Sequence, residues 1–311
     1  MKKIIFLLAI SIGLISCEKE SFEPIENNTN LESTTKEDIF VFKDWEEFRD
    51  LYDKFSSLDT EELQAVSFFT YDKNPNMSWA FQGILNKDNQ FIVADKTIWV
   101  DNGKFYELDG HKALAEQKSN KNLLKQVGSV SQAPIASSSQ GNLAKTVAIS
   151  NQHQFRKQKY IENCGAGITQ GPSPRAFKYV HEAFAETISY GSPLYRQYLY
   201  RLSLRVKLEY NHRGNSWRAS GEGRDIEIRL TNNSFLTNHL GQNLNTGGGS
   251  TVIRNITFSN SCHSDKQQLL SSINAAGPIP NSFWSVNVSG TVTEKMFGDV
   301  ESNRWKDTIN W

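Results

Sequence analysis

The sequence predicts an α+β fold: a small helix-plus-β-meander N-terminal part, then a larger antiparallel β-sheet or sandwich with one packed helix. Helical spacing of apolar residues near residue 45 gives way to short alternating segments, and the longest alternating stretch, Tyr198–Tyr210, comes late. With 311 residues, 38% hydrophobic and 11% aromatic, the chain is long enough to bury substantial cores. That composition excludes a disordered chain, a coiled coil and a disulfide miniprotein. Lys and Arg number 34, as do Asp and Glu, which argues against a nucleic-acid binder. The balance hides an asymmetry. Residues 1–150 carry 16 basic and 22 acidic side chains and residues 151–311 carry 18 and 12, while Arg49 is followed by no further arginine until Arg156.

Lys2 and Lys3 precede Ile4–Ile15, an apolar run too short for a hydrocarbon core that takes about 20 helical residues. Residues 1–16 therefore read as a signal peptide. The run ends in Leu14-Ile15-Ser16-Cys17, which resembles a bacterial lipobox, a small residue before a cysteine that is lipidated and becomes the new N-terminus. Cys17 is the expected lipidation site, and a membrane is the expected partner, each buried methylene of the acyl chains contributing about 0.8 kcal/mol. Residues 17–38 are polar and acidic and read as a tether that cannot offset its own ordering entropy. Its start, Glu18-Lys19-Glu20-Ser21-Phe22-Glu23, resembles the export signal that sends Bacteroidetes lipoproteins to the cell surface; the alternative is a merely solvated linker.

Residues 39–115 form the expected first folded part. Ile39–Phe42 is a short strand candidate. Asp44 and Glu47 make a capping box for a helix whose Trp45, Phe48, Leu51, Tyr52 and Phe55 line one face. Thr60–Val66 suggests a second short helix. Ser78–Leu85, Phe91–Val93, Thr97–Val100 and Lys104–Leu108 read as strands, with Asn102-Gly103 supplying a tight hairpin turn. The Phe42-Lys43-Asp44-Trp45-Glu46-Glu47-Phe48 segment and Ile84-Leu85-Asn86-Lys87-Asp88 resemble uncharacterised surface lipoproteins of Bacteroidetes with a domain of unknown function. That resemblance implies outer-membrane display and carries no functional residue.

Residues 116–155 read as a linker, since seven of the twelve residues 131–142 are Ser, Gln or Asn. Residues 156–311 form the expected β-rich second part. Ser173-Pro174 and Gly191 bracket a predicted helix over 174–190, with Phe177, Val180, Phe184 and Ile188 as its stripe. Tyr198–Tyr210 then alternates strictly, apolar on one face and largely cationic on the other. Parity disagrees between Trp217 and Ile226, which predicts a bulge at Gly221 or Gly223. Val252–Phe258 and Trp284–Val292 complete the strands.

Candidate chemistry is sparse. Cys164 and Cys262 are left as a pair in an exported compartment, open to a disulfide, two buried thiols, or a catalytic role for Cys164. His181-Glu182 lacks a second histidine at position 185, which is Ala185, so His181 is read as a packed residue rather than a zinc ligand. Cys262-His263 has no second ligand pair and Gly247-Gly248-Gly249 precedes a strand, so neither metal nor phosphate cofactor is expected. The remaining candidate is a surface. Arg201, Arg205 and Lys207 share one strand face, with Arg229 and other arginines nearby, and bidentate guanidinium bonding would suit an anionic glycan. The competing reading pairs these charges with Glu209, Glu222, Asp225 and Glu227. The expectation is thus a lipid-anchored, non-catalytic protein binding a polysaccharide or an envelope or host protein; the alternatives are an exported hydrolase using Cys164 or a carboxylate pair, and a structural subunit of the cell surface.

Overall fold

In the computed structural model, which describes residues 39–311 apart from 59, 69–76, 138–148, 158–160, 163–168, 171–174, 193, 215, 221, 245–251 and 262–264, β1 (Val41–Phe42) leads into α1 (Trp45–Ser57) through the expected cap. The Asp44 carboxylate accepts from the N–H groups of Glu46 and Glu47 at 3.0 Å each, and Glu47 accepts from Lys43 N–H. Phe48, Leu51, Tyr52 and Phe55 are buried, as their spacing requires. α2 (Thr60–Val66) follows. The strand expected over Ser78–Leu85 is instead α3 (Trp79–Ile84), capped by Ser78 Oγ, which accepts from Phe81 N–H at 3.3 Å. All six α3 residues are buried, so no polar face revealed its period.

Three strands follow as expected: β2 (Gln90–Val93), β3 (Lys96–Asp101) and β4 (Lys104–Glu107). The β3–β4 turn puts Asn102 at φ 46° and Gly103 at φ 76°, the left-handed region its Asn-Gly pair tolerates.

The described part of the expected linker, 116–137 and 149–155, is folded. It holds α4 (Leu114–Ser119), β5 (Lys125–Gln132), β6 (Ile135–Ser137) and β7 (Ile149–Arg156). In β7 exposed and half-covered residues alternate, so its polar composition is that of a surface strand. A small hairpin, β8 (Ile161–Glu162) with β9 (Thr169–Gln170), comes next.

The predicted helix over 174–190 is a strand, β10 (Ala176–Tyr190). Both of its faces are covered, so apolar residues fall at helical and strand spacing alike, and the stripe Phe177, Val180, Phe184, Ile188 is coincidental. β10 pairs along its length with β11 (Gln197–Arg213), and on its other edge with β5 and β7. Because β5 also pairs β4, the meander and the later strands form one ten-stranded sheet, and Ser33–Trp311 is one compact unit. The division into parts at 115 and 155 is thereby corrected.

The chain leaves this sheet at β12 (Ser216–Ala219) and enters a second one at β13 (Arg224–Asn232). That change of sheet, rather than a bulge within one strand, reverses the parity between Trp217 and Ile226. After β14 (Phe235–Thr237), β15 (Val252–Ser261) joins the second sheet and β16 (Asp265–Ala275) the first, against β11. The strand expected from Trp284 to Val292 is split at Asn287 into β17 (Phe283–Val286) and β18 (Val288–Met296). With β19 (Trp305–Asn310) the second sheet runs β15-β13-β18-β19, and β14-β17-β6 form a third.

Two cores result. Tyr200, Leu202, Leu204 and Val206 of β11 and Ala183 and Ala185 of β10 pack on Ile226, Ile228, Leu230 and Val292 of the second sheet, a sandwich. On the meander, Phe48, Phe55 and Phe81 of the helices meet Phe42, Phe91 and Phe105 of the strands. The fold is α+β with mainly antiparallel sheets; β1–β2 and β6–β17 pair in parallel.

Candidate functional site

The cationic face of β11 is real in register but not open to ligand. Antiparallel pairing sets Arg201 opposite Glu186, Arg205 opposite Glu182 and Glu209 opposite Lys178. Arg205 and Lys207 reach the same Glu182 oxygen at 2.5 and 2.6 Å, and Lys178 reaches Glu209 at 2.7 Å. Arg201 is buried beneath α1: its guanidinium lies 4.3 Å from the Tyr52 ring centroid and pairs with Asp53. Arg205 stacks 3.8 Å from the Phe184 ring. The expectation of an exposed anion-binding surface fails because Arg201 lies beneath α1, Arg205 is buried against Phe184 and Glu182, and Lys207 is tied to the same carboxylate. Arg229 belongs to the second sheet, is exposed and pairs with Glu227, so the four residues do not converge.

Glu186 joins the helices to this face. Its carboxylate accepts from Tyr52 O–H at 2.6 Å and Ser78 N–H at 2.8 Å. Burial raises its pKa, opposed by these hydrogen bonds and the charge of Arg205. Burial likewise lifts Asp265, opposite Lys207 on β16, to about 6 against the pull of Lys207, Arg205 and Arg224.

His181 lies on the other face of β10, fully buried between the sheets, so its reading as a packed residue holds in a new setting. Its Nε2 lies 2.7 Å from Glu294 on β18 and its Nδ1 2.8 Å from Asp307 on β19. Trp305 stacks on the imidazole at 4.3 Å. Glu294 also holds Arg224 at 2.6 Å, and Asn151 on β7 donates to both Asp307 oxygens at 3.0 Å. Burial pushes the His181 pKa down; the bonds to Asp307 and Glu294, with their charges, reverse this and leave it raised. With imidazolium at 181 the set holds two cations and two carboxylates in a dry interior. It ties sheet to sheet, with His181, Glu294 and Arg224 fully buried and Asp307 nearly so.

An open concavity lies elsewhere, on the outer side of the meander. Trp99, Tyr106 and Leu108 face out from β3 and β4, and Leu114 and Leu124 fold over them. Between α4 and the strands lies a groove of about 590 Å³. Gln117, buried in the middle of α4, shapes it: Oε1 accepts from Asp109 N–H at 2.7 Å, and Nε2 donates to the carbonyls of Asp109 and Lys112 at 2.9 and 3.0 Å. Asp109 accepts from His111 N–H at 3.0 Å, and that bond chiefly holds its carboxylate below the usual range. Acid and base alternate around the rim, with Lys96–Asp95 at 3.5 Å, Lys112–Asp109 at 3.7 Å and Lys125–Glu107 at 2.9 Å. Such a surface offers donors and acceptors side by side, with four carboxylates to three lysines.

Sequence reading missed this groove because it placed a domain boundary there; the available signal was Asp109-Gly110-His111 directly before a short helix. Cys17, Cys164, Cys262, His263 and Gly247–Gly249 lie outside the described residues. Among the described residues no group of three or more His, Cys, Asp and Glu is placed to hold a metal ion. No family model, curated protein or solved structure matches the chain.

Proposed function

We propose that this chain is a lipid-anchored protein of the outer-membrane surface that binds an envelope or host macromolecule without transforming it, through the groove between α4 and the β3–β4 hairpin. The observation that carries the binding reading is that groove's composition: paired acids and bases around amide groups, with Leu108 and Leu124 as an apolar strip. Hydroxyl-rich chains such as glycans match interspersed donors and acceptors, whereas a polyanion would meet Asp95, Glu107, Asp109 and Glu116. Anchorage rests on Leu14-Ile15-Ser16-Cys17.

Two measurements test the proposal. Metabolic labelling with a clickable fatty acid marks the wild type and not Cys17→Ala; equal labelling of both ends the anchorage reading. A glycan array probed with the full chain gives signals that Lys112→Ala/Glu116→Ala diminishes. Signals untouched by those changes place binding elsewhere, and breakdown of an arrayed glycan would favour the exported-hydrolase alternative.

A further inference from the structure

We propose that the end of the ten-stranded sheet carrying the β10–β11 loop and the turn before β5 docks on the bilayer in which the protein is anchored. The inference rests on the anchorage proposed above and adds an orientation to it.

The three most exposed large apolar side chains among the described residues are Leu194, Leu123 and Tyr195, at 87%, 84% and 78%. Strand register puts all three at one end of the sheet. Tyr190, the last residue of β10, pairs with Gly128 near the start of β5, so the β10–β11 loop and the residues preceding β5 project from the same edge. Arg196 confirms the proximity, its Nη2 donating to the Gln126 carbonyl at 3.2 Å. Leu123 is three residues before Gln126. Other strongly exposed apolar residues, Leu240 and Ile253, stand on separate elements, as single surface residues commonly do.

Both apolar pieces are held on ordered turns. Gly191 at φ 103° lets the chain fold back so closely that a Cβ there would lie 2.8 Å from the Tyr195 carbonyl oxygen, and Tyr195 N–H closes the turn on Ser192 at 3.1 Å. Leu123 sits in a 3-10 turn, its N–H bonded to Asn120 at 2.9 Å. Displaying leucines in fixed, solvated positions costs free energy unless something apolar receives them.

The surrounding charge identifies the receiver. Lys121, Lys125 and Arg196 flank the tip, and in the pairs Lys121–Asp101 and Lys125–Glu107 the lysine is the more exposed partner. Apolar tips, an amphipathic tyrosine and flanking cations match the layering of an anionic lipid surface. Reach is no obstacle: 21 residues separate Cys17 from Ile39, a contour length of up to roughly 70 Å.

The test uses the full lipidated chain on vesicles of phosphatidylglycerol and phosphatidylethanolamine containing nitroxide-labelled lipids. An environment-sensitive fluorescent amino acid is placed at 195 or, for comparison, at 218. Arg218 is exposed and lies opposite Tyr210, which pairs with Phe177, thirteen residues along β10 from Tyr190 and so roughly 40 Å away. Co-flotation with the vesicles reports anchorage separately. The expected result is a blue-shifted probe at 195, quenched several-fold more than the probe at 218, with the difference abolished by Leu123→Asp/Leu194→Asp while flotation persists. Equal quenching at 195 and 218 on floating protein overturns the docking inference and leaves anchorage standing. Protein that fails to float overturns both.

Discussion

Replacing His181 by leucine tests whether the buried polar set between the sheets is held by charge balance. In the wild type His181 and Arg224 oppose Glu294 and Asp307. His181→Leu leaves Arg224 against two carboxylates, one fully buried and one nearly so, and Asp307 then keeps only the Asn151 amide among the polar contacts described above. Removing one partner of a buried ion pair costs about 3–5 kcal/mol, because the remaining charge is stranded. Unfolding entropy of about 2.1 cal/mol/K per residue, over a unit of roughly 280 residues, amounts to about 0.6 kcal/mol/K, so Tm falls by about 5–9 °C. Adding Asp307→Asn restores the count to one cation and one carboxylate, and the double variant should regain more than half of the loss. The assay is urea and thermal unfolding at pH 6, where the imidazolium is present, arranged as a double-mutant cycle. If His181→Leu lies within about 1 kcal/mol of wild type, or Asp307→Asn on that background restores nothing, the charge-balance argument is wrong.

The same residue gives the protein a pH dependence. His181 has a folded pKa above its unfolded value near 6.5, so its contribution is complete below that pH and is lost as pH rises through the folded value, at up to about 1.4 kcal/mol per pH unit. Asp265, raised to about 6 from 3.8, adds a loss of the same sign between those values; unfolding followed from pH 4 to 9 should show both, and His181→Leu should remove only the upper limb. Gly103→Ala should destabilise by about 1–3 kcal/mol, since φ 76° disfavours a side chain and its Cβ would fall 2.4 Å from the Val130 carbonyl oxygen; an unchanged urea midpoint would contradict the turn geometry. Arg201→Ala/Arg205→Ala/Lys207→Ala should lose well over about 3 kcal/mol rather than behave as a surface change, because two of the three are buried in ion pairs; near-ultraviolet circular dichroism and urea unfolding would show it.

Elements with one wet face were legible. α1 was readable from its cap and its 3.6 period and β2–β4 from alternation and the Asn-Gly turn; β11, although its charged face is covered, was readable because that face is largely polar and the opposite one apolar over thirteen residues. What misled was burial on both sides. β10 and α3 have no solvent face to set a period, so one was read as a helix and the other as a strand. A second signal for β10 was present, however. Lys178, Glu182 and Glu186 are spaced by four, as are Arg201, Arg205 and Glu209, and their charges are complementary in antiparallel order. On a helix that row is an ordinary solvated stripe; on a strand it is a cross-strand ladder. The cationic face was visible in sequence, but its covering by α1 depends on contacts between Arg201 and residues nearly 150 positions earlier, which no local pattern encodes.

The central place of β10 and β11 also sets a timetable. β5 takes its second partner from β10, which begins only at Ala176 and ends at Tyr190, 65 residues beyond Lys125. At about 5–20 residues per second, ribosomal synthesis takes roughly 3–13 s to deliver that partner. Throughout this interval the meander and β5 have an open edge in the middle of what will become the ten-stranded sheet, and long-range pairing of this kind is slow to close once the strands exist. A chain halted before Glu186 lacks the β10 residues that pair with that edge, so the exposure of an unpaired strand is concentrated in one stretch of the chain's emergence rather than spread along it.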